Sequence, residues 1–309
     1  MTPTQEVHKS GFVAVCGKPN VGKSTLLNRI IGEKLAAVSP KPQTTRHLIR
    51  GILDTDSYQI VFIDLPGIID PRDRFNEGLM KTVRSGLEDS DVLCYMAEPH
   101  DPRPFSDEEH RLIRSFDGSR ILLINKLDTV DFSYTPTERE LPLDLFNEVL
   151  SISALDGYGI EKVLDVLLSH LRKGPKYYDP EDISDRNTRF FVAEIVREKI
   201  YLLFGEEIPY AVATQTEEYR EERMPVYIRV VIYVEKESQK SIIIGAEGKK
   251  IRELGVAARK DMEKFIGQKI YLDLWVKVKR NWRKKDGALR EFGYLPTKKK
   301  KPCSIMKSD

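Results

Sequence analysis

Short apolar runs alternate with amphipathic segments over the first half of the chain. The apolar runs are GFVAVCG (11–17), YQIVFIDL (58–65), DVLCYMA (91–97), RILLIN (120–125) and EVLSIS (148–153). The segments between them, such as KSTLLNRII, FNEGLMKTVRSGLE and YGIEKVLDVLLSHLRK, repeat apolar residues at helical spacing. Buried strands separated by amphipathic helices predict an α/β fold, a mostly parallel sheet with helices on both faces. The segment HLIRGILD (47–54) is predicted to add an antiparallel edge strand beside 58–65.

The pattern changes at residues 173–186, KGPKYYDPEDISDR, which have no apolar period and predict a linker and hinge. Beyond it we predict a helix at 189–204, strands at 210–219 and 226–235, a short strand at 240–245, a helix at 248–267 and a strand at 269–279. This α-β-β-α-β order predicts a separate, smaller α+β domain. The predicted division is a nucleotide-binding domain 1–172, a linker 173–188, a second domain 189–285 and a basic tail 286–309.

The composition of the 309-residue chain suits two soluble domains, with 40% hydrophobic and 32% charged residues. It holds no apolar run long enough to span a membrane and begins without the apolar stretch of a signal peptide. Three cysteines are too few for a disulfide framework. We therefore expect a cytoplasmic protein.

The charge is distributed unevenly, although the net charge is only +2. Residues 276–309 hold 12 Lys and Arg against 3 Asp and Glu. Such a basic end suits an anionic partner, either nucleic acid or a membrane surface, and is equally typical of a solvated tail.

A glycine-rich motif follows the first strand and precedes the first helix. It fits the phosphate-binding pattern G-x-x-x-x-G-K-[ST], in which backbone amides and the helix N-terminus surround a phosphate. Lys23 would reach the β- and γ-phosphates, and the Ser24 hydroxyl would bind Mg²⁺. The predicted loop comprises Gly17, Lys18, Pro19, Asn20, Val21, Gly22, Lys23, Ser24 and Thr25.

Two further segments complete the phosphate end. Asp64 ends a predicted strand and begins the motif of Asp64, Leu65, Pro66 and Gly67, followed by Ile68. Asp64 would hold Mg²⁺ through water, and the Gly67 amide would contact the γ-phosphate. Thr44 or Thr45, in the polar segment PQTTR, would complete the Mg²⁺ shell, and the sequence leaves the choice between them open.

The base end is predicted from Asn125, Lys126, Leu127 and Asp128, which follow a strand, and from Ser153, Ala154 and Leu155, which follow the next. A carboxylate at Asp128 accepts hydrogen bonds from N1–H and the 2-amino group of guanine, which adenine does not offer in that arrangement. A backbone amide at 153–155 would meet the guanine O6. The four motifs together predict GTP rather than ATP.

The same motifs resemble the translation-factor-related GTPases, and the Era family in particular. The resemblance runs from about residue 12 to residue 294 and includes KPNVGKSTLLN, PQTTR, DLPG, NKLD, SAL, EIVREK, IIIGAEGKKIRELG and LWVKVKRNW. It implies that the second domain is a type II KH domain that binds single-stranded RNA near the 3′ end of 16S rRNA, and that the protein assists 30S subunit assembly. Leu65, where the family usually has Thr, and the basic tail after Tyr294 are departures from the family.

The hydrolytic machinery is incomplete in the sequence. Ile68 stands where Ras-like switches have a water-orienting glutamine, which predicts slow intrinsic turnover and no side-chain base. In related GTPases an asparagine at the position of Asn20 helps to hold K⁺, so Asn20 is a candidate K⁺ residue.

The predicted RNA site is the G-x-x-G turn at a helix start, whose amides would face phosphates, with basic and aromatic residues around it. Glu247 within the turn opposes phosphate, and Trp282 adds a predicted stacking surface. The site residues are Ile243, Ile244, Gly245, Ala246, Glu247, Gly248, Lys249, Lys250, Arg252, Lys277, Lys279 and Arg280.

Two alternatives share the N-terminal motifs. One is a tRNA-modification or double-G-domain GTPase, disfavoured because the chain has one P-loop and no C-terminal cysteine motif. The other is a GTPase recruited to the inner membrane face through its lysine tail, although Cys303 does not form a prenylation box. We expect a monomer with GTP or GDP, rRNA and the 30S subunit as partners.

Overall fold

The computed structural model describes residues 8–130, 141–205 and 207–295. In the first half these form β1 (Lys9–Gly17), α1 (Lys23–Ile31), β2 (Ile49–Asp54), β3 (Tyr58–Asp64), α2 (Arg74–Glu88), β4 (Val92–Ala97), α3 (Asp107–Arg114), β5 (Ser119–Ile124), β6 (Glu148–Ser151), α4 (Ile160–His170) and β7 (Arg172–Lys173). The second half forms α5 (Thr188–Leu203), α6 (Ile208–Ala211), β8 (Ala213–Arg220), β9 (Val226–Val234), α7 (Glu237–Ile244), α8 (Lys249–Ile266), β10 (Ile270–Val278) and α9 (Asp286–Glu291).

The first domain is built on a sheet of order β2-β3-β1-β4-β5-β6, in which β3, β1, β4, β5 and β6 are parallel. The edge strand β2 pairs antiparallel with β3, as predicted. Side chains of β1 alternate between two cores: Val13 packs with residues of α1 and α4, and Ala14 with residues of α2 and α3. A parallel sheet covered on both faces is what the continuous apolar runs predict.

The second domain has a three-stranded sheet of order β10-β9-β8, with β9 parallel to β10 and antiparallel to β8. Helices α5, α7 and α8 pack on one face and close a separate core. The predicted helices at 189–204 and 248–267 and the strands at 226–235 and 269–279 are confirmed. The strand predicted at 210–219 begins only at Ala213, because α6 occupies the preceding residues.

The short strand predicted at residues 240–245 is wrong, because this segment belongs to helix α7. Three consecutive isoleucines favour a strand from propensity alone. Only Ile243 is buried, however, while Ile242 is 41% exposed, so the segment has one inward position per helical turn. The Gln239 side chain accepts hydrogen bonds from the amides of Glu235 and Lys236 at the helix start. The order of the elements from α5 to α9 is therefore α-α-β-β-α-α-β-α.

The linker forms hydrogen bonds with the first domain. The Gln59 side chain accepts from the amides of Tyr177 and Tyr178 at 2.7 and 3.0 Å. Further along, the Ile52 amide donates to Ile183 O at 3.0 Å, next to a bridge between Gly51 and Ser184. In this structure the segment is thus hydrogen-bonded to β2 and β3, and its predicted role as a hinge stays a prediction.

The predicted tail begins later than residue 286, because residues 286–295 are folded between the domains. Trp282, Leu289 and Tyr294 pack against Phe75 of α2 in a shared apolar cluster. Trp282 is fully buried and donates from its indole nitrogen to Ala211 O at 2.9 Å, which corrects its predicted role as a stacking surface. The lysine run of the tail lies outside the described residues.

Across the ranges that the structure describes, no helix is long and apolar enough to cross a membrane.

Candidate nucleotide site and nucleic-acid interface

The loop between β1 and α1 has a backbone that two of its glycines make possible. Gly17 and Gly22 have φ of 142° and 101°, in the region that side chains avoid. A Cβ on Gly17 would lie 2.3 Å from the Met96 carbonyl oxygen, and one on Gly22 would lie 2.2 Å from Asn125 Nδ2. The loop and residues 37–45 border a cavity of about 370 Å³ that also contacts Gly67 and Lys126. The predicted phosphate residues that line this cleft are Pro19, Asn20, Gly22, Lys23, Ser24, Thr25 and Gly67.

Lys23 lies inside the loop, buried, with Nζ donating to Lys18 O at 2.8 Å and to Gly17 O at 3.3 Å. Burial lowers the pKa of Lys23, and the Asp64 carboxylate acts in the opposite direction. The ammonium group is therefore held by carbonyl oxygens at the place where phosphate charge would be received.

Three hard oxygen ligands converge beside this lysine. Ser24 Oγ lies 2.8 Å from Asp64 Oδ2 and 2.7 Å from Thr45 Oγ1, and Thr45 Oγ1 lies 3.3 Å from Asp64 Oδ2. Asp64 is fully buried, and among the described residues its Oδ1 has no hydrogen-bond partner. Burial raises the pKa of Asp64 to about 6. A buried carboxylate oxygen without a hydrogen-bond partner, next to two hydroxyl groups, suits Mg²⁺, because Mg²⁺ prefers oxygen ligands.

The structure decides between the two threonines that the sequence left open. Thr44 Oγ1 points away from Ser24 and bonds to Ser39 Oγ and Lys41 O, both at 2.7 Å. Thr45 is therefore the threonine that faces the Mg²⁺ ligands.

The segment after β3 closes the other side of the cleft. The Ile68 amide donates to Gly17 O at 3.0 Å, and Gly67 lies so close to Pro19 that a Cβ would approach its nitrogen to 2.8 Å. The Ile68 side chain is 5% exposed and packs in the core with Leu65. It does not offer the cleft a polar group.

The base end is assembled by Asn125, which links three segments. Its Nδ2 donates to Val21 O and its Oδ1 accepts from the Ala154 amide, both at 2.8 Å. Asn125 therefore ties the P-loop to the segment that follows β6. Because the Ala154 amide is engaged by Asn125, the predicted contact of residues 153–155 with the guanine O6 stays a prediction.

Asp128 and Lys126 also lie at the base end of the nucleotide site. Asp128 is exposed, and its Oδ1 accepts a hydrogen bond from Ser153 Oγ at 2.6 Å, which fixes the carboxylate direction. Lys126 adopts a left-handed backbone and pairs with Glu98 at 2.7 Å.

Two residues of the loop after β4 were not predicted from sequence. They are Glu98, the partner of Lys126, and Arg103, whose Nη1 donates to Pro19 O at 3.1 Å. Lys18 Nζ in turn donates to Arg103 O at 2.6 Å. The loop carries no motif, so only its position after a central strand of the sheet hinted at this role.

The G-x-x-G turn joins α7 to α8, instead of a strand to a helix. Gly245 and Gly248 have φ of 71° and 74°, and a Cβ on Gly245 would approach Lys250 to 2.8 Å. Glu247 also has positive φ, is exposed, and pairs with Lys249 at 3.4 Å. Both side chains are more than three-quarters exposed, so this pair only weakly offsets the glutamate charge.

The apolar part of the groove next to the turn is formed by residues other than the predicted isoleucines. Ile243 is fully buried in the core and cannot contact a base, which corrects its predicted role, and Ile244 is half-buried. The groove is lined instead by Ile251, Gly255 and Val256 of α8 and Leu272 and Leu274 of β10, together with Arg252. The sequence signal for this groove was the spacing of Ile251, Gly255 and Val256, which lie four and five residues apart on an otherwise charged helix.

The basic residues at the end of β10 are largely paired. Lys277 bonds to Glu217 at 2.8 Å, while Lys279 pairs with Glu291 and lies 4.8 Å from the ring centroid of Phe292. Arg280 is exposed.

The fold and the site define a P-loop nucleotide-binding domain joined to a KH-type domain, and comparison with known proteins agrees. Residues 12–126 match the family model described as 50S ribosome-binding GTPase, and residues 207–283 match the KH domain model. Among solved structures, a variant of Era from Aquifex aeolicus bound to GDP·AlF4⁻ is 33% identical, covering 93% of this chain and 99% of that chain, with a TM-score of 0.84. Era in complex with MgGDPNP and nucleotides 1506–1542 of 16S ribosomal RNA matches with the same values.

This chain belongs to the Era family of GTPases. The GTPase fold and the KH domain predicted from sequence are therefore confirmed, while the assignment of individual residues to the nucleotide stays a prediction.

Proposed function

We propose that this protein is a slow GTPase switch that binds single-stranded RNA near the 3′ end of the small-subunit rRNA and assists 30S assembly. The observation that carries the proposal is the contact between nucleotide cleft and KH domain. Residues 38–46 border the cleft on one side and bond to helix α5 on the other, as in the 2.9 Å bond from the Val38 amide to Glu198. A change at the γ-phosphate therefore has a direct route to the RNA-binding domain.

Different residues of the cleft would bind the phosphates and Mg²⁺. Lys23 and the amides of the P-loop receive the phosphates, while Ser24, Thr45 and Asp64 would hold Mg²⁺. Bound Mg²⁺ neutralises charge that develops on the β- and γ-phosphates. Gly67 lies against Pro19, at the end of the loop where its amide would contact the γ-phosphate.

Slow turnover follows from the absence of a polar side chain at Ile68. Catalysis in such a site relies on positioning and on positive charge near the transferred group. We propose that K⁺ supplies part of this charge beside Asn20, whose Nδ2 donates to Pro40 O at 2.8 Å and thus links the P-loop to residues 37–45. Equal rates of GTP hydrolysis in K⁺ and Na⁺ buffers, with RNA present, would contradict the K⁺ part.

RNA is proposed to follow the groove between α8 and β10. The amides of the G-x-x-G turn face the phosphates, Arg252 adds charge, and Val256, which is 57% exposed, offers an apolar surface to unstacked bases. Ordering of residues 41–46 and 64–76 by GTP would shift how the domains meet and so open or cover this groove.

Crosslinking to total RNA in cells, followed by sequencing, tests the class and the target together. We expect reads concentrated at the 3′ end of 16S rRNA. Reads concentrated on tRNA, or no enrichment over an uncrosslinked sample, would contradict the proposal.

We further propose a cytoplasmic monomer whose tail, residues 296–309, adds to RNA affinity through its lysines. Removing these residues should weaken RNA binding and reduce its dependence on salt. If the truncation instead abolishes binding to anionic vesicles and leaves RNA binding unchanged, the tail serves a membrane and this part is wrong.

A further inference from the structure

Residues 41–46 lie between the nucleotide cleft and the KH domain. Some groups of this segment contact the cleft and others contact the KH domain. The Thr45 side chain turns toward the nucleotide cleft, where its hydroxyl meets Ser24 and Asp64. The backbone carbonyl oxygens of the two preceding residues, Gln43 and Thr44, turn toward the KH domain. The orientation of the Mg²⁺-facing threonine is therefore fixed from its backbone by the other domain.

Two side chains of helix α5 hold these carbonyl groups. Tyr201 donates from its hydroxyl to Gln43 O at 3.0 Å, and Arg197 donates from Nη1 to Thr44 O at 2.5 Å. Both side chains are fully buried. Neither is near the nucleotide motifs in sequence.

Arg197 has a fixed direction because its other nitrogens are already bound. Nε and Nη2 donate to the two carboxylate oxygens of Glu194, one turn earlier on the same helix. Although burial opposes ionisation, the ion pair holds the pKa of Glu194 below its usual value, so both members are charged. Because Glu194 engages Nε and Nη2 of the planar guanidinium, the direction of Nη1 is fixed, and this donor is aimed at Thr44 O.

Withdrawal of Thr44 would leave that donor unsatisfied in a site from which water is excluded. A buried donor without an acceptor is penalised more strongly when it is charged. The ion pair therefore favours the one conformation of residues 41–46 in which Thr45 faces Asp64.

We infer that Arg197 of the KH domain, with Tyr201, is a positioning residue that presents Thr45 to Mg²⁺ in the GTP-bound state. The inference deepens the proposed function and rests on it for the identity of the nucleotide. A switch threonine contributes while the γ-phosphate is present and not to GDP. Arg197 is thus expected to affect GTP and its Mg²⁺ requirement, and to leave GDP affinity unchanged.

The test measures binding of a fluorescent non-hydrolysable GTP analogue and of fluorescent GDP to the full chain, over a Mg²⁺ titration. The variants are Arg197→Met, Arg197→Lys and Tyr201→Phe, and the control is Leu202→Ala, an exposed position on the same helix. From the usual strength of charged and neutral hydrogen bonds, we expect analogue affinity to fall about tenfold in Arg197→Met and about threefold in Tyr201→Phe. More Mg²⁺ should be needed for half-saturation, GDP affinity should change less than about twofold, and Arg197→Lys should recover part of the loss.

Equal losses for analogue and GDP would show a merely structural role and overturn the inference, as would an unchanged ratio in Tyr201→Phe. Tyr201→Phe removes only a hydroxyl, so it remains decisive if Arg197→Met fails to fold. The proposed function and the inference about Arg197 can be contradicted independently of each other. A wild-type protein that binds no RNA contradicts the proposed function, while the ratio of the two nucleotide affinities still reports on Arg197.

Discussion

Arg46 donates a hydrogen bond from its guanidinium to the Tyr201 hydroxyl at 2.7 Å, across the boundary between the two domains. Arg46 is 1% exposed and also donates to Val212 O at 2.6 Å and to Pro209 O at 2.9 Å. It directly follows Thr45, whose hydroxyl faces the cleft. A movement of Thr45 therefore disturbs a buried polar contact in the KH domain.

Replacing Arg46 by alanine should destabilise the protein by about 2–4 kcal/mol, since it leaves buried carbonyl oxygens without donors and removes the guanidinium from the faces of Phe75 and Tyr201. Chemical denaturation measures this change. Arg72→Ala, at an exposed position, is the control and should stay within about 0.5 kcal/mol of the wild type. Similar stability of both variants would mean that the contact contributes little.

The P-loop backbone leaves no room for a side chain at Gly22. We expect Gly22→Ala to lower GTP affinity by at least about tenfold, because the new Cβ would collide with Asn125 Nδ2 at 2.2 Å and displace the residue that braces the base end. Isothermal titration with GTP provides the measurement. Gly205→Ala, where the added Cβ would meet no described atom within 4 Å beyond its chain neighbours, should bind GTP as the wild type does. Unchanged affinity of Gly22→Ala would refute the collision.

Base choice should depend on Asp128. In Asp128→Asn one acceptor becomes a donor, so the hydrogen bond from the guanine 2-amino group is replaced by two donors facing each other, and we expect GTP affinity to fall by about 100-fold or more. Xanthosine triphosphate, which carries a 2-oxo group in place of the amino group, should bind the variant better than GTP does. Competition binding with both nucleotides tests this, with Asp165→Asn on the exposed face of α4 as control. A variant that still prefers GTP would disprove the assignment.

The RNA groove is tested at Val256, which is exposed on α8. Val256→Glu places a charge where bases would pack and phosphates approach, so RNA affinity should fall at least about tenfold while GTP affinity stays the same. Fluorescence anisotropy with a labelled single-stranded RNA measures the former. Met224→Glu, a change of the same charge at a residue 81% exposed elsewhere in the domain, controls for net charge. If both variants lose affinity equally, the effect is long-range electrostatics and the groove is misplaced.

The nucleotide site was largely predictable because its motifs are local. Gly17 and Asp64 each lie at the end of a strand whose burial can be read from a continuous apolar run, and Lys23 begins the helix that follows the first of them. Parallel strands bring such ends together. The choice of Thr45 over Thr44 was not predictable, because it depends on which hydroxyl a folded loop turns inward.

The second domain and the domain contacts were less predictable. The isoleucines around Ile243 favour a strand by propensity, and the helix is decided by packing and by Gln239. Trp282 lies in a basic stretch whose sequence predicts exposure, yet it packs against Phe75, more than two hundred positions earlier in the chain. Arg197 has a sequence neighbourhood typical of any amphipathic helix, and its role arises only from contact with Thr44. Long-range contacts of this kind leave no local pattern.

The central claim is that the nucleotide state and RNA binding are coupled through residues 41–46. The most direct test is the affinity of the full chain for a 16S rRNA 3′-end fragment, measured at fixed salt with Mg²⁺ and a non-hydrolysable GTP analogue, with GDP, and without nucleotide. Linkage requires that RNA and GTP alter each other's affinity by the same factor, and typical couplings are about 5- to 150-fold. We expect the analogue and GDP states to differ by about fivefold or more. Identical RNA affinity in all three states would contradict the account.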